Sequence, residues 1–312
     1  MTCYFPLQAF YGPLKANGKR RIVFKESERE YGVEFSLPCS RCIGCRLERA
    51  RQWAVRCMHE ASMYDSNCYV TLTYSDDKVP KTGCLDKTHF QEFMKDLREF
   101  YRKPPKYILE RYPNFNFGNG IRYFHCGEYG GDTRRPHYHA ILFNIDFPDR
   151  EFLKMSNGHK LYRSDILDSI WGRGFCNFGS VTFDSANYVA RYITEKVTGD
   201  IADRHYLDEK TGIILTPEYT TMSRKPGIGY TWFKKYADDV YPSDTVIVKG
   251  RVQRPPKFYD SQLEKVSEDW LADIKAKRSE EAIKFSGEQT PERLDIREKV
   301  KLAKLNLFKR NM

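Results

Sequence analysis

Two neighbouring stretches decide the fold: Ile121-Arg122-Tyr123-Phe124-His125-Cys126-Gly127-Glu128 and His137-Tyr138-His139-Ala140-Ile141-Leu142-Phe143-Asn144-Ile145. Both are rich in aromatic and β-branched residues, and the loop between them contains Gly130-Gly131-Asp132, so they read as two strands of a hairpin. Upstream, Cys68-Tyr69-Val70-Thr71-Leu72-Thr73-Tyr74 reads as a buried strand. Asp86 is placed to cap a helix through about Arg102 that carries Phe90, Phe93, Leu97 and Tyr101 on one stripe. Downstream, the pattern predicts a helix around 163–171, a strand over 175–183 after the Gly172/Gly174 turn, and a helix from 184 to 198. Asp184 or Ser185 would cap this last helix and Gly199 would stop it. The order strand, helix, strand, strand, helix, strand, helix predicts an α+β fold of ferredoxin-like (split βαβ) type, an antiparallel sheet with helices on one face.

The flanks read differently. Residues 1–60 form a Cys-rich N-terminal segment with short strand candidates at 20–24 and 32–35, leading into a helix over 46–64. One face of that helix carries Arg46, Arg49, Arg51 and Arg56, either as a solvated face or as a contact with a polyanion. Residues 61–200 are the core, and 201–259 a loop-rich basic extension that includes Ser223-Arg224-Lys225-Pro226-Gly227-Ile228-Gly229-Tyr230. Residues 260–312 are a charged helical tail. Leu263, Val266, Trp270 and Ile274 make its docking stripe, and Thr290-Pro291 starts its last helix.

Composition narrows the function classes. With 312 residues, 40% hydrophobic and 30% charged, the chain has enough apolar material for a real core. No apolar run approaches 18 residues, so no membrane span is expected. The opening Met1-Thr2-Cys3-Tyr4-Phe5-Pro6 lacks a charged segment followed by an apolar one, so a cytoplasmic setting with reduced thiols is expected. A net charge of +10 and 14% aromatic residues fit a polyanion with exposed bases. No Gly-x4-Gly-Lys-Ser/Thr loop is present, which excludes a nucleotide-driven motor of that type.

Three constellations carry chemistry. On a strand, residues i and i+2 share a face, so His137 and His139 can reach one ion, and a hairpin brings Glu128 beside His137. Two imidazoles and a carboxylate suit Mg²⁺ or Mn²⁺ with positions left open for a phosphate oxygen. A packing role for the His pair is the alternative. On the predicted helix, Tyr188, Tyr192 and Lys196 follow i, i+4, i+8 spacing, while Val189, Ala190 and Ile193 supply a separate apolar face. Two phenols and a cation beside a metal are equipment for attack on a phosphodiester; a core tyrosine stripe is the alternative. Finally, Cys39-x2-Cys42-x2-Cys45 offers three thiolates, and a structural Zn²⁺ takes four ligands. Cys3 is the expected fourth, with Cys57 and Cys84 as rivals. Unliganded cysteines or an iron–sulfur cluster are the other readings.

These residues resemble a known family. Cys68 through Tyr74, Phe124 through Gly130 leading to Arg135-Pro136-His137-Tyr138-His139, and Tyr188 through Lys196 are similar, in that order, to the three motifs of the HUH endonucleases that initiate rolling-circle DNA replication. Specifically, they resemble the initiators of gokushovirus-type Microviridae phages. The likeness extends over roughly residues 1–260, through the Cys cluster and Met222–Gly229. One departure stands out: the family's lysine three residues after the second tyrosine is Glu195 here, with Lys196 next to it. The resemblance implies a nick at a phage origin through a 5′-phosphotyrosine, with Tyr188, Tyr192 and Lys196 catalytic and Glu128, His137 and His139 holding the metal. It also implies single-stranded and origin DNA as partners, a host helicase and DNA polymerase, and the bacterial cytoplasm. Arg135, Arg191, Arg224 and Lys225 are candidate DNA contacts. The rival readings are a single-strand transposase or plasmid initiator with the same chemistry, and a non-catalytic, zinc-stabilised nucleic-acid-binding protein.

Overall fold

Along Asn67–Thr73, Cys68, Val70 and Leu72 are buried while Tyr69, Thr71 and Thr73 are partly exposed, the period-2 signature of a strand between two different environments. The computed structural model describes residues 3–309 apart from 17, 119, 132, 157, 196–201 and 210. The chain opens with β1 (Leu7–Leu14), β2 (Arg20–Val23), β3 (Tyr31–Leu37) and α1 (Ile43–Ala61). The central run is β4 (Asn67–Thr73), α2 (Lys87–Arg102), α3 (Lys106–Arg111), β5 (Arg122–Tyr129), β6 (Pro136–Phe143), β7 (Glu151–Ser156), β8 (His159–Arg163), α4 (Asp165–Trp171), β9 (Cys176–Ser180) and α5 (Phe183–Glu195). There follow α6 (Ala202–Tyr206), β10 (Tyr219–Met222), α7 (Tyr230–Val240), β11 (Val246–Val248), β12 (Arg251–Gln253), α8 (Lys257–Val266), α9 (Glu268–Lys284) and α10 (Pro291–Lys309). Two compact units result, Met1–Arg49 with Ser267–Met312, and Ala50–Val266.

The larger unit holds a seven-stranded sheet in the order β10-β5-β6-β4-β9-β8-β7, antiparallel throughout. Its inner four strands, β5-β6-β4-β9, with α2 and α4 as crossovers, have the split βαβ order expected from the sequence. Helices, however, cover both faces and not the single face expected. On one side α2 and α4 bury Phe93, Leu97 and Leu167 with Val70, Tyr138 and Leu142. On the other, Ala50, Ala54 and Cys57 of α1 and Ala186, Val189 and Ala190 of α5 pack with Phe124, Ile141 and Phe143. The strands are apolar on both sides, so a second helical layer is required to exclude water.

Local chemistry sets the element ends. Asp86 caps α2 by accepting from the Thr88 amide, and Ser164 caps α4 by accepting from Leu167. Gly172 stops α4 in the left-handed region. At Gly174, φ is +150° and an added Cβ would lie 2.3 Å from the Ser75 amide nitrogen, so only glycine passes there. Entry to α5 uses a reciprocal pair, Ser185 N–H to Thr182 Oγ1 at 3.1 Å and Thr182 N–H to Ser185 Oγ at 2.9 Å. Asp184 instead pairs with Lys249 at 2.7 Å. The predicted end of this helix beyond Glu195, including Gly199, lies outside the described residues.

In the smaller unit a β2-β1-β3 sheet includes β1, which the sequence reading omits. Pro291 opens α10 as expected. Leu271 and Ile274 are buried on α9, whereas Val266, at the end of α8, is 73% exposed and is no docking residue. Among the described residues no helix is long and apolar enough to cross a membrane.

Candidate metal centre and tyrosine helix

The site is a consequence of register. In the β5/β6 hairpin Glu128 lies opposite His137 and Cys126 opposite His139. On the other flank of β6, Thr71 lies opposite His139 and Thr73 opposite His137. Facing residues of an antiparallel pair share a side, so Glu128, His137, His139, Tyr69 and Thr71 all project from one face of the sheet. Glu128 Oε1 sits 2.6 Å from His137 Nε2 and 2.9 Å from His139 Nε2. The three ligand-type atoms fall within 4.8 Å of one another.

Partners on the far side of each imidazole define its tautomer. His137 Nδ1 is 3.1 Å from the Arg135 carbonyl, which can only accept. Its Nδ1 therefore carries hydrogen, and Nε2 faces the carboxylate with either a second proton or a lone pair reserved for a cation. His139 Nδ1 lies 2.6 Å from Tyr69 Oη and 3.0 Å from Thr71 Oγ1, which aims its Nε2 at Glu128. Burial lowers the His137 pKa, but the hydrogen bond to Glu128 outweighs it and leaves the pKa raised. His139 is more deeply buried and its pKa is lowered. Burial raises the Glu128 carboxyl, yet the bonds from the two imidazoles hold it below its ordinary value. Glu128 Oε2 is buried without a hydrogen-bond partner. An orphaned carboxylate oxygen beside two converging Nε2 atoms is a donor set that fits a divalent cation.

Helix α5 brings the first tyrosine to this cluster. The Tyr188 ring stands edge-on to His139 at 5.2 Å between centroids and to Tyr69 at 6.5 Å, and the residue is 41% exposed. Val189 and Ala190 on the same helix are fully buried, so the apolar face expected for packing is separate from the tyrosine face. Tyr192 lies one turn further along α5. Its side chain and Lys196 lie outside the described residues. Arg191 is half-buried on α5.

The basic segment is a loop ahead of α7, with Arg224 and Lys225 exposed at its tip. Its base is pinned from the larger unit. Fully buried Glu60 accepts from Gly229 N at 2.7 Å and from Arg122 Nε at 2.5 Å, and Arg122 donates onward to the Pro226 carbonyl at 2.7 Å. Arg56 donates to the Ile228 carbonyl and is sandwiched between the Trp53 and Phe258 rings at 3.9 and 3.8 Å. It is thus neither a solvated nor a polyanion-facing arginine. Arg135 directs two donors, each at 2.6 Å, to Asp76 and to the Tyr74 carbonyl. In the smaller unit the thiols of Cys3, Cys39, Cys42 and Cys45 converge within 4.8 Å, a second group able to hold a metal. The rivals for fourth ligand, Cys57 and Cys84, are not in it.

Sequence reasoning missed Tyr69, Thr71, Glu60 and Arg122. The signal for the first two was alternation on β4, which places both on one face, but their meeting with His139 needs the β4/β6 register. For Glu60, a carboxylate on the apolar stripe of an Ala-rich helix was the available clue.

A family profile for replication-associated proteins of the ORF2 type matches residues 67–197, which contain the Glu/His/His cluster and α5. The chain is 33% identical to replication-associated protein VP4 of Bdellovibrio phage phiMH2K, over 90% of this chain and 84% of that one. It is 32% identical to replication-associated protein ORF2 of Spiroplasma virus 4, over 82% and 77% of the two chains. To replication-associated protein ORF4 of Chlamydia phage 1 it is 29% identical over 75% and 55%. No solved structure matches. Taken with the order of its motifs, this likeness over most of its length places the chain in the family of replication-associated proteins of Microviridae-type phages.

Proposed function

We propose that the chain is a metal-dependent tyrosine DNA endonuclease and strand transferase that nicks the origin of a circular phage DNA and starts and terminates rolling-circle replication. The observation that carries this reading is the exposed Tyr188 ring set edge-on against His139 of a buried Glu/His/His cluster. Mg²⁺ or Mn²⁺ held by Glu128, His137 and His139 supplies Lewis-acid polarisation of a phosphodiester. The phenol oxygen of Tyr188 or Tyr192 attacks phosphorus, and the bond to the 3′ oxygen breaks. The 5′ phosphoryl stays on the tyrosine, and the phenolic proton ends on the released 3′-OH. Lys196, in the sequence position nearest the family's lysine, would offset the negative charge developing on the attacking and leaving oxygens. After one round the second tyrosine repeats the step on the regenerated origin, and the new 3′-OH attacks the first phosphotyrosine. Bond number is conserved throughout, so ring closure needs no nucleotide cofactor.

The remaining residues serve placement. Arg224 and Lys225 at the loop tip, and Arg191 on α5, would meet DNA phosphate, while Arg135 shapes the hairpin end through Asp76 and Tyr74. Extension of the 3′ end falls to a host DNA polymerase and strand separation to a host helicase, in the bacterial cytoplasm. The names of the relatives favour phage replication over a transposase or plasmid initiator. The test is incubation with single-stranded origin DNA and Mn²⁺ followed by denaturing electrophoresis. A protein–DNA adduct is expected from the native chain and none from His137→Ala or His139→Ala. Both variants should still bind single strands, because attraction to phosphate persists. A non-catalytic DNA-binding protein gives binding without adduct.

A further inference from the structure

The N-terminal unit has a local packing cluster made almost entirely of cysteine. Cys3, Cys42 and Cys45 are buried together, with Tyr4 and Cys39 packed against them. Three short strands supply little apolar area of their own, and segments of this kind are commonly held by a metal instead of a core. The register explains how a residue near the N-terminus joins a motif 36 positions later. Leu7 pairs with Leu37 and Gln8 with Ser36 at the end of the β1/β3 ladder. The chain before β1 therefore runs beside the chain after β3, and Cys3 arrives at Cys39.

The sulfur environment is that of thiolates and not of packed thiols. The Cys39 amide donates to Cys3 Sγ at 3.2 Å, and the Cys42 amide donates to Cys39 Sγ at 3.3 Å. Cys42 Sγ accepts from the amides of Tyr4 at 3.4 Å and Cys45 at 3.5 Å. Four backbone donors aimed at three sulfurs stabilise negative charge there. Cys42 and Cys45 also lie at the N-terminal end of α1, where the helix dipole favours an anion. Cys42 Sγ and Cys3 Sγ are 3.9 Å apart, too far for a disulfide, and all four sulfurs lie within 4.8 Å of one another. A tetrahedron built on a Zn–S bond of about 2.3 Å has an edge of about 3.8 Å. The cluster has that size, which is too small to enclose the several irons of an iron–sulfur cluster.

We propose that Cys3, Cys39, Cys42 and Cys45 bind one structural Zn²⁺ that ties the β1–β3 segment to the start of α1. With four thiolates the coordination sphere is closed, so this ion takes no part in cleavage. The site is chemically distinct from the oxygen- and nitrogen-lined Glu128/His137/His139 cluster, and each ion should be removable without the other.

The test is elemental analysis of the full chain after EDTA dialysis, combined with mercurial titration while a zinc-sensitive dye reports release. About one Zn per chain is expected to survive dialysis and to be released once the cysteines react. Cys84→Ser should keep its zinc, and Cys39→Ser should lose most of it. Because Cys39→Ser could instead fail to fold, the native chain is also produced in cobalt-supplemented medium. The intense visible absorption of tetrahedral thiolate-bound Co²⁺ is then expected. Iron in place of zinc, zinc retained in Cys39→Ser, or a folded chain holding neither zinc nor cobalt would each overturn the proposal.

Discussion

Tyr69→Phe isolates the support given to one proposed metal ligand. The phenol oxygen lies 2.6 Å from His139 Nδ1, the shorter of two contacts that orient the ring, with Thr71 Oγ1 at 3.0 Å as the other. Phenylalanine keeps the ring and its edge contact with Tyr188 at 6.5 Å, and removes only the hydroxyl. Loss of such an outer partner typically lowers metal affinity about 10- to 100-fold. Thr71 remains in place as a second partner, so the lower end applies, about tenfold or about 1.4 kcal/mol. Adding Thr71→Val to remove both partners should bring the loss toward about 100-fold. The assay is nicking of single-stranded origin DNA as a function of Mn²⁺ concentration, beside a thermal melt to confirm folding. The half-saturating Mn²⁺ concentration should rise about tenfold while the rate at saturation is kept. If half-saturation stays unchanged, or if saturating Mn²⁺ fails to restore the rate, Tyr69 does not act through His139.

Two further predictions use the same cluster and the basic loop. His137 has its pKa raised by the Glu128 carboxylate, and a proton competes with a cation for its Nε2. Below that raised pKa the imidazolium predominates, so the half-saturating Mn²⁺ concentration should climb by up to about tenfold for each pH unit lowered. Above it the affinity should level off, and an affinity independent of pH from about 5 to about 8 would contradict the ligand assignment. Arg224→Ala and Lys225→Ala should weaken single-strand binding uniformly across sequences and reduce the salt dependence by a slope of about 0.7 per phosphate contact. They should leave adduct formation at saturating DNA intact, and an unchanged salt slope would remove both from the DNA interface.

The central hairpin was legible because two short-range rules act together. His-x-His on a strand puts both rings on one side, and a tight loop returns Glu128 to the same level, so three of the cluster's residues follow from local spacing. The strand order was legible as well, since split βαβ topology leaves few arrangements for strand, helix, strand, strand, helix, strand. Contacts between strands far apart in sequence were not. Thr71 meets His139 across 68 positions, and no local pattern reports the register that aligns them. The second helical layer escaped for a different reason: Ala50 and Ala54 on α1 are too small to produce a strong apolar stripe, although they allow the helix to lie close against the sheet. Glu60 shows the limit of reading charge as exposure. It is wholly buried, and Arg122 and the Gly229 amide compensate its charge there.

The most direct measurement is to locate the covalent bond itself. The native chain is reacted with single-stranded origin DNA and Mn²⁺, digested with nuclease and protease, and the peptides spanning α5 are sequenced by mass spectrometry. The account predicts a nucleotide phosphate attached to Tyr188 or Tyr192. Tyr188→Phe and Tyr192→Phe should each still form an adduct through the partner, which stands about 5.4 Å along the helix. Each single variant should fail at ring closure, and the double variant should form no adduct. DNA cleaved at the native rate by the double variant, or a phosphate found on any residue outside this pair, would contradict it.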